Sequence, residues 1–357
     1  MKRISTAALR PGMVTAEDVY SFSNQLILPR GLILTDKTIT KLEFYSIISV
    51  RVEEAATPAA IELPYASYSE RIKTSPEFIR FKADFEENAF HLKNAMNDVI
   101  EKGAPLNVEH LMDQTLALIS SANSSSIHIF DLLHNMRQYD DSTYIHCVNT
   151  ALISNMFAHW LRFNENGIRI ATLSGLLHDI GKTLIPEGII KKPDKLTNTE
   201  YNIIKTHTQA GYKILQNQPL DDHVRQAALL HHERCDGSGY PFGLSAAQID
   251  PYAKLISIVD VYDAMTSARI YRGPMCPFKA ISIFEAEGLQ KYDTHYILTF
   301  MENILNTYLL NRVRLSNGLE GEIVYINRSK LSSPTVKCGN RFIDLSVERN
   351  ITIESLI

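Results

Sequence analysis

Five histidines in the middle of the chain stand beside other polar residues on stretches of helical pattern. His146 follows Asp140-Asp141-Ser142, His178 begins His178-Asp179-Ile180-Gly181-Lys182, and His207 lies on a helix opened by Thr197-Asn198-Thr199-Glu200, a capping-box spacing. His231-His232-Glu233 ends a fourth helix, and Asp260 interrupts the apolar run Ile256-Ser257-Ile258-Val259-Asp260-Val261 on a fifth. Taken singly, these residues have plain readings. His207 shares a face with Ile203, Gly211 and Ile214 and reads as a hydrogen-bonded core residue. Asp260 is either a solvated edge or a buried ion that needs a partner, and a metal is one such partner. Together they read differently, because four helices deliver His to an apolar face and two deliver Asp. An all-α bundle with inward-facing imidazoles and carboxylates is a normal way to build a dinuclear metal site. Mixed imidazole and carboxylate donors suit iron, manganese or another first-row metal rather than a Cys-rich structural zinc. The adjacent pair His178-Asp179 can serve both metals, with the carboxylate bridging. Two metals about 3.5–4 Å apart polarise a phosphoryl group and make a hydroxide nucleophile near neutral pH.

The elements that carry these residues are helical. Ser75 is a helix cap and Pro76 suits the first helical position. Phe78, Phe81, Phe85, Ala89, Leu92, Met96 and Val99 then recur at three- and four-residue steps, which predicts one long amphipathic helix ending near Gly103, a packing or dimer element. Helical patterns continue to about residue 310 with no sustained strand alternation. Before this region, residues 24–34 predict two short strands around Pro29-Arg30-Gly31, Thr38 to Tyr45 a short helix, and Ile48 to Val52 a strand. Residues 55–66 read as a linker. After Asn311, Val313 and Leu315 alternate with Arg314 and Ser316, Asn317-Gly318 is a hairpin turn, and Glu322–Ile326 is a strand. Ser333-Pro334 and Gly339-Asn340 punctuate two more.

A length of 357 residues leaves room for about two or three domains. Hydrophobic residues at 45% and charged residues at 21% exclude disorder as the main state. No apolar run approaches the roughly 20 residues that span a bilayer, and Met1-Lys2-Arg3 is followed by no apolar core of a signal peptide. Four cysteines without CxxC or framework spacing fit a reducing cytoplasm. A net charge of −4 speaks against a protein that coats DNA or RNA, but not against an anionic substrate, since bound metals dominate the local field.

The HD pentapeptide 178–182, then His231-His232-Glu233-Arg234-Cys235-Asp236-Gly237-Ser238-Gly239-Tyr240-Pro241, then Asp260-Val261-Tyr262-Asp263-Ala264-Met265-Thr266, resemble in content and order the HD-GYP subgroup of the HD phosphohydrolase superfamily. The resemblance covers about residues 130–310. It implies an all-α HD-type bundle there, and with the strand patterns on either side, which lie outside the resemblance, the expected fold is mainly α, with a small N-terminal α/β unit and a small C-terminal β unit flanking the bundle. The expected division is 1–65 for the first unit and its linker, 66–125 for a helical connector, 126–310 for the catalytic domain and 311–357 for the β unit. The resemblance further implies a bacterial, cytoplasmic second-messenger enzyme. Such an enzyme is a metal-dependent phosphodiesterase that opens cyclic di-GMP to linear pGpG, and in some members onward to GMP, by attack of a metal-bridging hydroxide on phosphorus. Carried over by motif, the ligands are His146, His178, Asp179, His207, His231, His232 and Asp260. Lys182 faces a substrate phosphate, Arg269 and Arg272 resemble a basic pair that holds the nucleotide, and Asp140 or Asp141 assists proton transfer near the metal rim. Gly239, Tyr240 and Pro241 shape a pocket wall, and Glu233 is a partner for a ligand histidine. Three departures stand out. Ser142 occupies the place of the Glu found in members with a third metal, so two metals are expected. Cys235 stands where many members have Trp, and Ile270 where Pro is usual. Two other functions remain open: a cyclic dinucleotide receptor or scaffold with little turnover, and a phosphohydrolase for another nucleotide.

Overall fold

The computed structural model describes residues 2–20, 26–35, 38–39, 42, 47, 49–53, 72–122, 126–136, 143–192, 194–268 and 273–357. The chain divides into two compact units, one made of Met1–Tyr68 with Tyr308–Ile357 and the other of Ser69–Thr307.

In the first unit, β1 (Lys2–Ser5) pairs antiparallel with β4 (Ser49–Val52), and β2 (Val19–Tyr20) with β3 (Leu26–Leu28). Val19, Leu28, Leu34, Val50 and Val52 are buried together. The expected second strand after Pro29-Arg30-Gly31 is reduced to a single bridge between Ile33 and Val14. Most of the expected helix at 38–45 and the 55–66 linker lie outside the described residues. The C-terminal segment forms a five-stranded antiparallel sheet in the order β8-β7-β6-β5-β9, from β5 (Arg312–Leu315), β6 (Glu320–Tyr325), β7 (Thr335–Cys338), β8 (Arg341–Asp344) and β9 (Ile353–Leu356). Arg314 pairs with Glu320 across the Asn317-Gly318 turn, as the sequence predicts. The last strand escaped the sequence reading, because Ile353–Leu356 is too short to show a period.

The second unit is helical. Its first helix, α1 (Pro76–Lys102), is capped by Ser75, whose hydroxyl accepts from Phe78 N at 3.1 Å, and ends at Gly103. All seven apolar positions of the predicted stripe are buried, so the stripe is spent on packing within the chain. There follow α2 (Val108–Ser121), α3 (Ser126–Met136), α4 (Thr143–Trp160) and α5 (Glu165–Leu177). After a 3-10 turn over Ile180–Leu184 come α6 (Glu187–Ile190), α7 (Asn198–Lys205), α8 (His207–Leu215) and α9 (Asp222–Leu230). The unit closes with α10 (Pro251–Thr266), α11 (Pro277–Ile283), α12 (Leu289–Lys291) and α13 (Thr294–Thr307). Among the described residues of this unit there is no named strand, only an isolated bridge between Asp236 and Ser245. No described helix is long and apolar enough to cross a membrane.

The core sits around α4, whose residues from His146 to Ala158 are all buried. A helix covered on every side has no solvated face, so each polar group on it needs a partner inside the protein. Asn155 finds one in Thr172 of α5, donating through Nδ2 to Oγ1 at 3.0 Å. Trp160 stacks on Phe130 with ring centroids 5.8 Å apart and packs near Phe157 and Phe300, a core role.

Candidate metal centre

Helix ends carry some of these polar residues to the core and helix interiors carry the others. His146 lies in the first turns of α4. His178 is the C-cap of α5, and Asp179 leads into the 3-10 turn. Thr197 and Glu200 form the expected capping box at the start of α7, but that helix ends at Lys205. His207 begins a separate helix, α8, which corrects the single helix expected from the sequence. The turn and α8 cross at Gly181. A Cβ there would run into the His207 carbonyl oxygen and lie 2.6 Å from Gly211 N, so only glycine lets the HD turn meet the helix that carries His207. His231 is the C-cap of α9, and Asp260 lies within α10, which starts with Asp250 accepting from Tyr252 N at 2.8 Å.

These elements bring His146, His178, Asp179, His207, His231, His232 and Asp260 together. Three sets of donor atoms lie within 4.8 Å of one another: His146, His178 and Asp260; His178, Asp179 and His231; and His207, His231 and His232. Asp179 joins them. Its Oδ1 is 3.4 Å from His207 Nε2 and 3.7 Å from His231 Nε2. Its Oδ2 is 3.4 Å from His178 Nε2 and 3.7 Å from His146 Nε2. One carboxylate oxygen thus faces each imidazole cluster. Asp260 Oδ1 is 3.1 Å from His146 Nε2, and its Oδ2 is 3.9 Å from His232 Nδ1. Of the two readings open for Asp260, the structure gives the buried ion with partners.

The outer nitrogens fix the orientation of the rings. His178 Nδ1 donates to the Gly175 carbonyl at 2.8 Å, and His207 Nδ1 to that of Ile204 at 2.6 Å. His231 Nδ1 is shared between the carbonyls of Ala227 and Ala228 at 3.0 and 3.1 Å. With Nδ1 carrying the proton, each Nε2 presents a lone pair to the interior. His146 Nδ1 faces a carboxylate instead, Asp263 Oδ2 at 2.8 Å. Sequence reasoning passed over Asp263. Its signal was position, three residues after Asp260 and therefore on the same face of α10. A carboxylate behind a ligating imidazole raises its basicity and holds the ring in place. Asp263→Asn is therefore expected to weaken metal binding about 10- to 100-fold, read as the metal retained against a competing chelator. Unchanged retention would deny Asp263 this role.

The residues fit a metal. His146 Nε2, His178 Nε2 and Asp179 Oδ1 are buried without a hydrogen-bond partner. Leaving a buried polar atom unsatisfied costs about 1–3 kcal/mol, and here three such atoms point into one cluster of nitrogens and carboxylates. The charges agree with this. Burial pushes His231 well below the ordinary imidazole value, helped by His232 and His178. It also lowers His207 and His232, where it outweighs the opposing pull of Asp179 and of Asp260. Burial disfavours the His146 cation as well, but Asp260 and Asp263 outweigh it and raise the imidazole to about 9. Burial resists ionisation of both clustered carboxyls, yet Lys182 and His178 hold Asp179 well below the usual range, and His146 and His232 do the same for Asp260. The neutral imidazoles of His207, His231 and His232 beside ionised Asp179 and Asp260 are in the protonation states that ligate, and His146 has to release its proton to join them.

The remaining predicted residues are placed unevenly. Lys182 Nζ lies 2.5 Å from Asp179 Oδ2, with its side chain 25% exposed. The Tyr240 ring stacks on His232, with centroids 4.7 Å apart and planes 27° apart, and burial pushes its phenol up. Gly239 passes so close to Glu233 that a Cβ would lie 2.6 Å from the Glu233 carbonyl carbon, and the Tyr240-Pro241 peptide is cis. Glu233 corrects an expectation. Its buried carboxylate supports no ligand histidine; it accepts from Phe242 N at 2.7 Å and Leu244 N at 2.9 Å and so ties down the loop. Cys235 is half-buried against Leu230 and Ile249. Asp140, Asp141, Ser142, Arg269, Ile270 and Arg272 lie outside the described residues.

Residues 118–296 match the HD-domain family. Over 94% of its length the chain is 29% identical to a cyclic di-GMP phosphodiesterase of Pseudomonas aeruginosa and covers 84% of that protein. Over 41% of its length it is 40% identical to the 3'3'-cGAMP-specific phosphodiesterase 1 of Vibrio cholerae, but covers 34% of that protein. An HDG"Y"P protein from Bdellovibrio bacteriovorus superposes with a TM-score of 0.50 at 18% identity, over 85% of this chain and 99% of that one, a likeness of fold.

Proposed function

The chain belongs to the HD-domain family, in its HD-GYP group, and on that premise we propose that it is a metal-dependent phosphodiesterase of cyclic dinucleotides that opens cyclic di-GMP to linear pGpG. The observation that carries this reading is the Asp179 carboxylate with one oxygen turned to each imidazole cluster. His146, His178 and Asp260 would hold one divalent ion and His207, His231 and His232 the other, with Asp179 shared. When bound, the ions, iron or manganese for this donor set, supply Lewis acidity to the phosphoryl oxygens and a deprotonated water near neutral pH.

The chain's own residues do the rest. Hydrolysis adds the oxygen of one water to phosphorus, breaks the bond from phosphorus to the ribose 3'-oxygen, and returns a proton to that oxygen. Burial of the ligands keeps bulk water from the cluster and strengthens every charge interaction at the phosphate. Lys182 is tethered by Asp179 at the edge of the cluster, so its cation is already in place for a phosphate oxygen as negative charge grows. Tyr240, lying flat on His232, forms the wall beside the ligands. Asp140 is the candidate to protonate the leaving oxygen.

Lys182→Gln is expected to lower kcat about 10²-fold, the usual cost of one preorganised stabilising group, while the metal content stays at the wild-type level. A variant that loses metal and activity together would assign Lys182 to metal retention instead. The function itself is tested by purifying the protein without oxygen, measuring bound iron and manganese, and following cyclic di-GMP on the same sample by chromatography. Appearance of pGpG supports the reading, and a later rise of GMP marks a second cut. Stoichiometric retention without product would make the protein a receptor. The likeness to a 3'3'-cGAMP-specific enzyme favours the mixed cyclic dinucleotide as second substrate, so it belongs in the same assay.

A further inference from the structure

The wall that begins at His232 and Tyr240 continues onto a helix that the ligand set does not use. The Tyr201 ring meets the Tyr240 ring edge-on, with centroids 6.4 Å apart and planes at 80°. Lys205, one turn further along α7, places its Nζ 5.1 Å from the centroid of Tyr201 and 6.0 Å from that of Tyr240. Lys205 is half-buried and pairs with no carboxylate among the described residues, so the two rings are what steady its ammonium. Tyr201 remains 47% exposed. Two residues beyond Lys205, the chain delivers His207 to the metal cluster. The order His232, Tyr240, then Tyr201 with Lys205 therefore runs outward from the place where the phosphate reacts.

An aromatic ring with an open face stacks a nucleobase without regard to which base it is. A lysine ammonium does distinguish bases. Guanine offers the acceptors O6 and N7 on one edge, whereas adenine sets an N6 amino donor beside N7, and a lysine has only donors. We propose that Tyr201 and Lys205 form a base-selecting wall, with Tyr201 stacking one purine of the cyclic dinucleotide and Lys205 donating to its O6 and N7, so that the wall prefers guanine. The proposal rests on the cyclic dinucleotide reading above and adds to it the residues that would select the base.

Steady-state kinetics of the metal-loaded full-length chain on cyclic di-GMP, 3'3'-cGAMP and cyclic di-AMP tests the wall. Lys205→Met is expected to reduce the preference in kcat/KM for cyclic di-GMP over cyclic di-AMP about tenfold, through KM, the size of one lost directional contact. Lys205→Arg, which also donates to O6 and N7, retains the preference. Tyr201→Ala is expected to raise KM about tenfold for all three substrates, the effect of one lost stack, and Tyr201→Phe restores it. Equal losses on all three substrates in Lys205→Met would overturn base selection by that residue. Unchanged KM values and preferences in Lys205→Met and Tyr201→Ala, in a chain that still opens cyclic dinucleotides, would overturn the wall and leave the phosphodiesterase reading standing. A metal-loaded wild type that opens none of the three would overturn that reading and the wall with it.

Discussion

Asp179→Ala is expected to purify almost free of metal and to lose on the order of 10³ or more in kcat, since losing the Lewis acid costs at least as much as losing one preorganised donor. The size of the effect follows from position. Asp179 is fully buried, and each of its oxygens lies within 3.7 Å of Nε2 atoms from a different pair of histidines. Its removal takes a negative ligand from both proposed ions at once and leaves the neighbouring imidazoles to hold positive charge without that counter-charge. The helices themselves do not depend on it. Buried apolar side chains such as Leu152, Ile153, Leu176, Ile256 and Val259 hold α4, α5 and α10. Far-UV circular dichroism should match the wild type while metal analysis and turnover collapse. An Asp179→Ala protein with full metal and full turnover would remove the basis of the proposed chemistry.

The second large effect is on folding. Gly181→Ala is expected to cost at least about 3 kcal/mol, because the added methyl meets backbone that cannot rotate away. The obstruction is the His207 carbonyl and Gly211 N, both in the first turns of α8. For a helical unit of this size that cost lowers Tm by roughly 10 °C, and the displaced helix takes His207 out of the cluster. Two glycine variants calibrate the result. At Gly211 an added Cβ would lie 3.3 Å from Gly181 N, tight but well outside the overlap at Gly181, so Gly211→Ala should be milder. At Gly188, on α6, nothing lies within 4 Å, so Gly188→Ala should leave Tm level or slightly raised. A Gly181→Ala melting curve indistinguishable from that of Gly188→Ala would show that the turn and α8 can separate freely.

Much of this was legible in the sequence where local rules decide. The seven apolar positions of α1 and both of its caps follow from a 3.6-residue period and capping chemistry, and the structure buries or caps each one. The capping box of α7 is likewise formed by the residues that spell it. Of the seven proposed ligands, His178, Asp179, His231, His232 and Asp260 were legible in three motifs in order, and His146 and His207 as histidines on the neighbouring helical patterns. What escaped depends on contacts distant in sequence. The break at Thr206, which separates α7 from α8, has no proline or glycine to announce it. Asp263 gains its role only from His146, 117 residues away. Glu233 was assigned to the wrong neighbour because adjacency to His232 in the chain said nothing of the direction in which its carboxylate turns. Strands as short as those around residues 26–33 carry too few side chains for alternation to fix their pairing.

The Glu233 carboxylate has one more consequence. By gripping the amides of Phe242 and Leu244, it closes the intervening segment into a lasso whose neck sits directly after His232, a proposed ligand. Positions inside the noose that touch no proposed ligand, Cys235 among them, can be exchanged without loosening the knot, which is tied by one side chain and two main-chain amides, whereas Gly239, packed on the Glu233 backbone, and Tyr240, stacked on His232, cannot. Variation at those positions can thus reshape the loop's surface while its two anchor points stay fixed.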